Sequence, residues 1–344
     1  MEQAEGGALT RGRLTKPAAL LATLAISAVF GFFALRGIRF SATWQALRAS
    51  NYWWLLPSLA ALAASVQLRV VRWRTLFDPA RRPPLGAMTK VTIIGLFFNS
   101  ILPARAGEIA RIVALKKYAG TSRAEAAATV IVERLFDVSS LIVLLFVVLA
   151  WLPQVSWLKP AAVVAFVSLA AVLALIVFVR LASDRPTLPG ASLIARIPGL
   201  PEETISRLTA NVVHGLSTLG RPSQAFAALG WTFVSWFLLG LSFWFLMIGF
   251  DLGLSPLAGL LVVIATGLAF IIPAAPGAVG VFEAAGLAVT SAYGVPRSLA
   301  LAYVVVLHVV NLAPFIVAGV LLLAADARAA RVSTASAVRL RSRG

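Results

Sequence analysis

The sequence predicts an all-α polytopic membrane protein, with about six transmembrane helices, two re-entrant helical pairs and an inverted internal repeat. Three observations predict it. Hydrophobic residues make up 60% of the 344-residue chain and charged residues only 12%. Mean hydropathy is +0.91, which leaves too little polar surface for an aqueous fold. Many apolar segments have membrane-spanning length, while two more are too short to cross and stop at proline–glycine breaks.

Residues 1–17 form a basic N-terminus with Arg11, Arg13 and Lys16. The apolar run at 18–35 outlasts a signal-peptide core and lacks an A-x-A site, so it reads as a retained first helix. Crossing segments follow at 53–71, 124–151, 161–180, 225–248 and 298–323. A single membrane domain over 18–325 contains pseudo-repeats at about 18–155 and 156–325, and a basic tail occupies 326–344. Between crossings, Trp151 and Trp157 resemble an interfacial aromatic belt. The insert at 201–221 has apolar residues at helical spacing and reads as an amphipathic surface helix, with His214 as an interfacial side chain.

The first broken segment reads MTKVTIIGLFFNSIL and stops at Pro103, before A-R-A-G-E-I-A-R at 104–111. The second reads LAGLLVVIATGLAFII and stops at Pro273, before A-A-P-G-A-V-G-V-F-E at 274–283. At 15 and 16 residues they make helices of roughly 22–24 Å against a hydrocarbon core of about 30 Å. Segments 88–118 and 257–293 therefore read as re-entrant pairs. Their irregular backbone must be shielded by protein or face a watery interior, and paired broken segments point to a transporter's substrate site.

The net charge is +17. Its basic residues sit between apolar spans without an aromatic–basic surface module, so the positive-inside rule accounts for them and nucleic acid is not an expected partner. Arg69, Arg72, Arg74, Arg81 and Arg82, the Arg105 to Arg123 group and the C-terminal arginines fall on the cytoplasmic side, with both termini. Few basic residues, Arg36, Arg39, Arg48, Lys159 and Arg297, are left outside. With no cysteine, disulfides, thiolate catalysis and Cys-ligated metals are excluded. No cofactor and no metal site is expected.

The two halves also share text. With Arg123 set against Arg297, Arg134 falls on His308 and Asp137 on Asn311 without a gap. Three crossings per half would invert the second relative to the first.

Several polar residues are candidates for work. Ser122-Arg123-Ala124-Glu125 is a capping-box pattern that starts a helix. Arg134 lies about 16 Å along it, so Glu133, Arg134 and Asp137 become candidate charges inside the membrane, neighbours at three- and four-residue spacing. Such charges are functional hypotheses by default; a structural ion pair between helices is the alternative. Arg105, Glu108 and Arg111 fall at the tip and return arm of the first re-entrant loop. Glu108 and Arg111 are spaced for a local ion pair, and Arg105 or Arg111 for attracting a lipid phosphate near Lys116 and Lys117. Gly107 permits close backbone approach, and Asn99 can bond a carbonyl or a headgroup. In the second break Pro273, Pro276, Gly277 and Gly280 shape a turn. Glu283 can balance an arginine or hold a proton or cation. His308 and Asn311 share a face of the last crossing helix, placed either to meet first-half charges or as satisfied structural groups.

Taken together, N-S-I-L-P-A-R-A-G-E-I-A-R (99–111), T-V-I-V-E-R-L-F-D (129–137) and P-G-A-V-G-V-F-E (276–283) resemble the transmembrane region of lysylphosphatidylglycerol synthases and related flippase-like proteins. The likeness spans roughly residues 15–325. It implies a lipid-moving membrane domain. It also implies polar motif positions at Asn99, Pro103, Arg105, Gly107, Glu108, Arg111, Glu133, Arg134, Asp137, Gly280 and Glu283. A soluble catalytic domain has no room before Gly344, so synthase activity is not expected. The leading expectation is a lipid flippase in the cytoplasmic membrane whose partners are anionic lipid headgroups. A second copy of the chain or a separate lipid-modifying enzyme are further candidate partners. The alternatives are a membrane-embedded enzyme or accessory protein acting on a lipid-linked substrate, and an ion-coupled carrier of small anions. The sequence offers no metal or nucleophile–base set for the enzyme.

Overall fold

A computed structural model describes residues 6–103, 105–148, 163, 166–167, 170, 222–270 and 274–341. Among them are ten α-helices and no strand. In order they are α1 (Gly6–Leu35), α2 (Phe40–Ala49), α3 (Leu55–Thr75), α4 (Leu85–Ile101), α5 (Ala106–Ala119), α6 (Arg123–Val148), α7 (Pro222–Gly249), α8 (Pro256–Ala269), α9 (Val281–Ala292) and α10 (Arg297–Arg341). By length and composition three helical stretches can cross a bilayer: Tyr52–Thr75, Phe226–Gly249 and Arg297–Ala329. The pair Leu21–Leu35 and Phe40–Ala49, bent by 81°, makes a fourth if counted as one span. α6 has 26 residues, but Glu133, Arg134 and Asp137 interrupt its apolar run.

The most extensive helix–helix contact joins α3 and α7, and small polar residues explain it. Ser58 Oγ lies 3.0 Å from Ser242 Oγ, and Ser65 Oγ donates to the Ser235 carbonyl at 2.7 Å. Each partner steps back seven residues as α3 advances seven, the register of antiparallel helices. Small side chains let the backbones approach, and each hydroxyl is satisfied without water. Glycine does the same for α7 and α8, where a Cβ on Gly259 would fall 2.9 Å from Trp244 Cβ. The main core lies around this pair, with Leu62, Phe243, Met247, Leu261, Ile264 and Leu307 all buried. Leu21, Phe32 and Phe33 on α1, and Val317 and Leu321 on α10, are exposed, as lipid-facing side chains are in a membrane bundle.

Two hairpins carry the breaks. α4 and α5 pack antiparallel around Gly95 and Gly107; a Cβ on Gly107 would collide with the Gly95 carbonyl and sit 2.6 Å from Asn99 Oδ1. α8 and α9 form the second pair, separated by a short 3-10 turn, Pro276–Ala278. α10 packs against α4 and α9 and so touches both hairpins. At one end Lys90 of α4 and Tyr118 of α5 both bond Asp326 of α10.

Five of the six crossing segments read from the sequence coincide with α1, α3, α6, α7 and α10. The sixth, at 161–180, lies outside the described residues except for Val163, Phe166, Val167 and Ala170, which are helical. Trp151, Trp157, the 201–221 insert with His214, Ala104 and Pro273 are also outside them. Two differences stand out. The segment read as an outer loop at 36–52 contains α2, an amphipathic helix packed against α10. α3 runs to Thr75, so Arg72 is a buried residue of a helix, whereas the positive-inside reading placed it in a cytoplasmic loop.

Candidate functional site

The first break reverses the chain between α4 and α5. α4 ends at Ile101, and Arg105 occupies the left-handed region (φ 55°) as the residue before α5. A side chain there costs roughly 1–2 kcal/mol relative to the right-handed region. Arg105 is anchored in return, since its Nη2 donates to the carbonyl of Phe270 at the end of α8. That bond joins the first break to the edge of the second. Asn99 Oδ1 accepts from the Gly107 amide at 2.9 Å, satisfying an orphan donor of the α5 N-terminus. Asn99 is thereby engaged as a cap.

From this break an alternating chain of charges runs inward. Arg105 Nη1 lies 3.8 Å from Glu108 Oε1, and Arg134 Nε lies 2.8 Å from the same oxygen. Arg134 Nη1 reaches Asp137 Oδ2 at 3.2 Å. Asp137 Oδ1 accepts from Arg72 Nη1, and Arg72 Nη2 donates to Glu133 Oε1 at 2.9 Å. Glu133 Oε2 takes the last link, from Arg111 Nη2 at 2.7 Å. Seven residues on α3, α5, α6 and the break therefore alternate in sign from Arg105 to Arg111. Exposure is highest near the break: the Arg105 side chain is 41% exposed and that of Arg134 35%, against 0% for Arg72 and 7% for Arg111. Alternation sets each carboxylate between two guanidiniums, and Glu133 and Asp137 each accept hydrogen bonds from two, the condition under which buried ion pairs recover their desolvation cost.

Aromatic and hydroxyl groups fix the deep end. The Arg111 guanidinium lies over the Trp73 ring at 3.9 Å, and Trp73 Nε1 donates to Thr129 Oγ1 at 3.1 Å. Thr232 Oγ1 of α7 accepts a further bond from Arg72 at 3.3 Å. Ser122 Oγ accepts from the Glu125 amide at 3.1 Å and caps α6, which sets the register of Glu133, Arg134 and Asp137.

The second break is closed by one imidazole. His308 of α10 meets Glu283 Oε1 through Nδ1 at 2.5 Å and the Gly277 carbonyl through Nε2 at 2.8 Å. Its ring stacks on Phe282 at 4.3 Å. A doubly protonated ring satisfies both acceptors, a neutral one only one. Glu283 Oε2 also accepts from the Gly280 amide at 2.7 Å, capping α9. Gly277 (φ 67°) and Gly280 (φ 87°) hold left-handed conformations at this turn, where Pro276 opens the 3-10 turn.

Several sequence expectations change. Glu108 and Arg111 do not pair with each other; Glu108 serves Arg134 and Arg105, and Arg111 serves Glu133, because the α5 side chains meet α6 before they meet one another. His308 pairs within its own half, and Asn311 Nδ2 donates to the Leu307 carbonyl of its own helix; neither meets the first-half charges. Lys116 and Lys117 stand near the far end of α5 from Arg105, about 16 Å away by helical rise, so the four basic residues of that arm are no single patch. The residue missed altogether is Arg72, which holds both Glu133 and Asp137. Its signal was spacing: Ser58, Ser65, Arg69 and Arg72 fall on one face of α3 at three-, four- and seven-residue steps.

The fold and this site define a polytopic helical membrane protein with an ionic chain at one of two broken hairpins. The chain belongs to the family whose model is described as the lysylphosphatidylglycerol synthase TM region, which matches residues 20–319. It is similar to a UPF0104 membrane protein of Methanocaldococcus jannaschii, 24% identical over 216 residues, covering 63% of this chain and 88% of the relative. A UPF0104 membrane protein of Methanothermobacter thermautotrophicus is 25% identical over 257 residues, 72% of this chain and 76% of the relative.

Proposed function

We propose that the protein is a lipid flippase that moves a phospholipid or lipid-linked anionic substrate between the leaflets of the cytoplasmic membrane. One observation carries this reading: the ionic chain runs from partly exposed Arg105 at a helix break, through partly exposed Arg134 of α6, to fully buried Arg72. Charges inside a membrane bundle mark substrate pathways when they face an interior. The exposed guanidiniums would receive the headgroup while the acyl or isoprenoid tail stays in lipid. Catalysis has less support, since no group of three or more His, Asp or Glu could hold a metal among the described residues.

The topology belongs to the same reading. Six crossings and two re-entrant pairs entering from opposite faces would make the halves an inverted repeat, with both termini cytoplasmic. Cysteine variants at Leu102 and Val279, which are 40% and 52% exposed, should then label from opposite aqueous sides. Labelling of both from one side only would remove the inverted arrangement.

The activity test is translocation of fluorescent lipids in proteoliposomes over a panel of headgroups. Faster movement of anionic lipids than in protein-free vesicles supports the proposal. No acceleration of any headgroup, with the protein folded and inserted, overturns it.

A further inference from the structure

Arg69 of α3 stands outside the ionic chain. Arg69 lies one turn before Arg72 on α3, with its guanidinium over the Trp236 ring of α7 at 4.2 Å. Its Nε and Nη2 are buried and have no acceptor among the described residues, and Trp236 Nε1 beside it is another buried donor without one. Asp137 and Glu133 attract it electrostatically, while Arg72 and Arg134 repel it; both carboxylates are already committed to other arginines. Counting Arg69 with the chain sets five arginines against three carboxylates, an excess of two positive charges. Two buried N–H groups of one guanidinium without an acceptor are unfavourable, so this surplus points to a ligand that completes it.

We infer that Arg69, with the neighbouring arginines Arg72 and Arg134, binds a phosphate group carrying two negative charges, as a phosphomonoester headgroup does and a phosphodiester does not. The match is in charge and in donors. A monoester near neutral pH carries about −1.5 to −2 and offers three acceptor oxygens. Arg69 supplies two free N–H directions in the fork geometry that phosphate accepts, and Trp236 adds a third donor. A carboxylate or a diester neutralises half of the surplus. The inference rests on the flippase reading for its source, a lipid; the same chemistry would hold free phosphate.

The test is thermal unfolding and ligand titration of the full chain in nanodiscs of zwitterionic lipid, with phosphatidic acid, phosphatidylglycerol or inorganic phosphate added. Phosphatidic acid is expected to stabilise the protein at least ten times more tightly than phosphatidylglycerol. Arg69→Met should unfold at the wild-type temperature or above without ligand, because it removes an uncompensated cation, and lose at least ten-fold in phosphatidic acid affinity. If Arg69→Met does not fold, Arg69→Lys keeps the charge without the fork and should lower the affinity in a folded protein. Equal binding of the two lipids, or undiminished binding by whichever variant folds, overturns the dianion site. Binding of inorganic phosphate as tight as that of phosphatidic acid keeps the site and instead overturns the lipid flippase reading.

Discussion

In the first half of the molecule α6 reaches its broken hairpin through Glu133, Arg134 and Asp137, bonded to Arg72 of α3 and to Glu108 and Arg111 of α5. In the second half α10 carries His308 to its hairpin, set between Glu283 and the Gly277 carbonyl. Both junctions tie a long helix to a break, and Arg105 links the two through the Phe270 carbonyl. They differ in what remains over. Glu283 is occupied by His308 and the Gly280 amide, and both ring nitrogens of His308 are engaged, so neither side chain is left open to a ligand. The arginines of the first junction outnumber its acids, and two of them reach the surface. The difference assigns the first junction to cargo and the second to holding the fold, under the function proposed above.

Substitutions sharpen that contrast, and the largest loss of stability belongs to the first junction. Arg72→Leu strips one partner from Glu133 and one from Asp137 while both stay buried. Removing one member of a buried pair costs about 3–5 kcal/mol. Glu133 keeps Arg111 and Asp137 keeps Arg134, so the lower figure is expected in denaturant unfolding in detergent. A loss under about 1 kcal/mol would show that the chain is not held through Arg72.

Gly107→Ala comes next. The added Cβ meets backbone, the Gly95 carbonyl, which cannot rotate away as a side chain can. Overpacking of this kind costs about 1–3 kcal/mol, and the upper end is expected. Its counterpart Gly277→Ala meets Leu312 Cδ1 at 3.2 Å and a positive φ. There the conformational cost, roughly 1–2 kcal/mol, dominates. Equal unfolding midpoints for the two would erase this difference between the breaks.

His308→Gln can satisfy one of the two acceptors, so a loss of about 1–2 kcal/mol is expected, with translocation per folded molecule preserved. Loss of translocation in a stable His308→Gln protein would move function into the second junction. The smallest effect is expected of Lys90→Met, whose ion pair with Asp326 has side chains 27% and 22% exposed. Such pairs contribute about 0–1 kcal/mol, and raised salt should remove most of the wild-type advantage.

Much of this was legible in the sequence because membrane helices announce themselves by length. Both breaks were visible because Pro103, Gly277 and Gly280 interrupt apolar runs that nothing else would interrupt. Glu133, Arg134 and Asp137 were visible because charge inside an apolar helix has no cheap explanation. Arg72 was not, since an arginine near the end of an apolar run looks like a loop residue obeying the positive-inside rule. Only the packing of α3 on α7 turns it inward. Partners were the least legible part. Local spacing paired Glu108 with Arg111, but α6 supplies stronger partners to both, and one-dimensional spacing cannot weigh a neighbouring helix. α2 was missed because its amphipathic pattern is only 10 residues long.

Under the function proposed above, the ionic chain handles the headgroup and does more than lock α6 to the hairpin. Arg134 separates these roles, because it is half-exposed while Arg72 continues to hold Asp137 and Arg105 stays beside Glu108. The decisive measurement is the initial rate of anionic-lipid translocation per folded molecule for wild type and Arg134→Leu in matched proteoliposomes. At least a ten-fold fall in rate is expected, with folded yield and unfolding midpoint close to wild type. A wild-type rate in a folded, inserted Arg134→Leu protein would contradict it and leave the chain a structural lock.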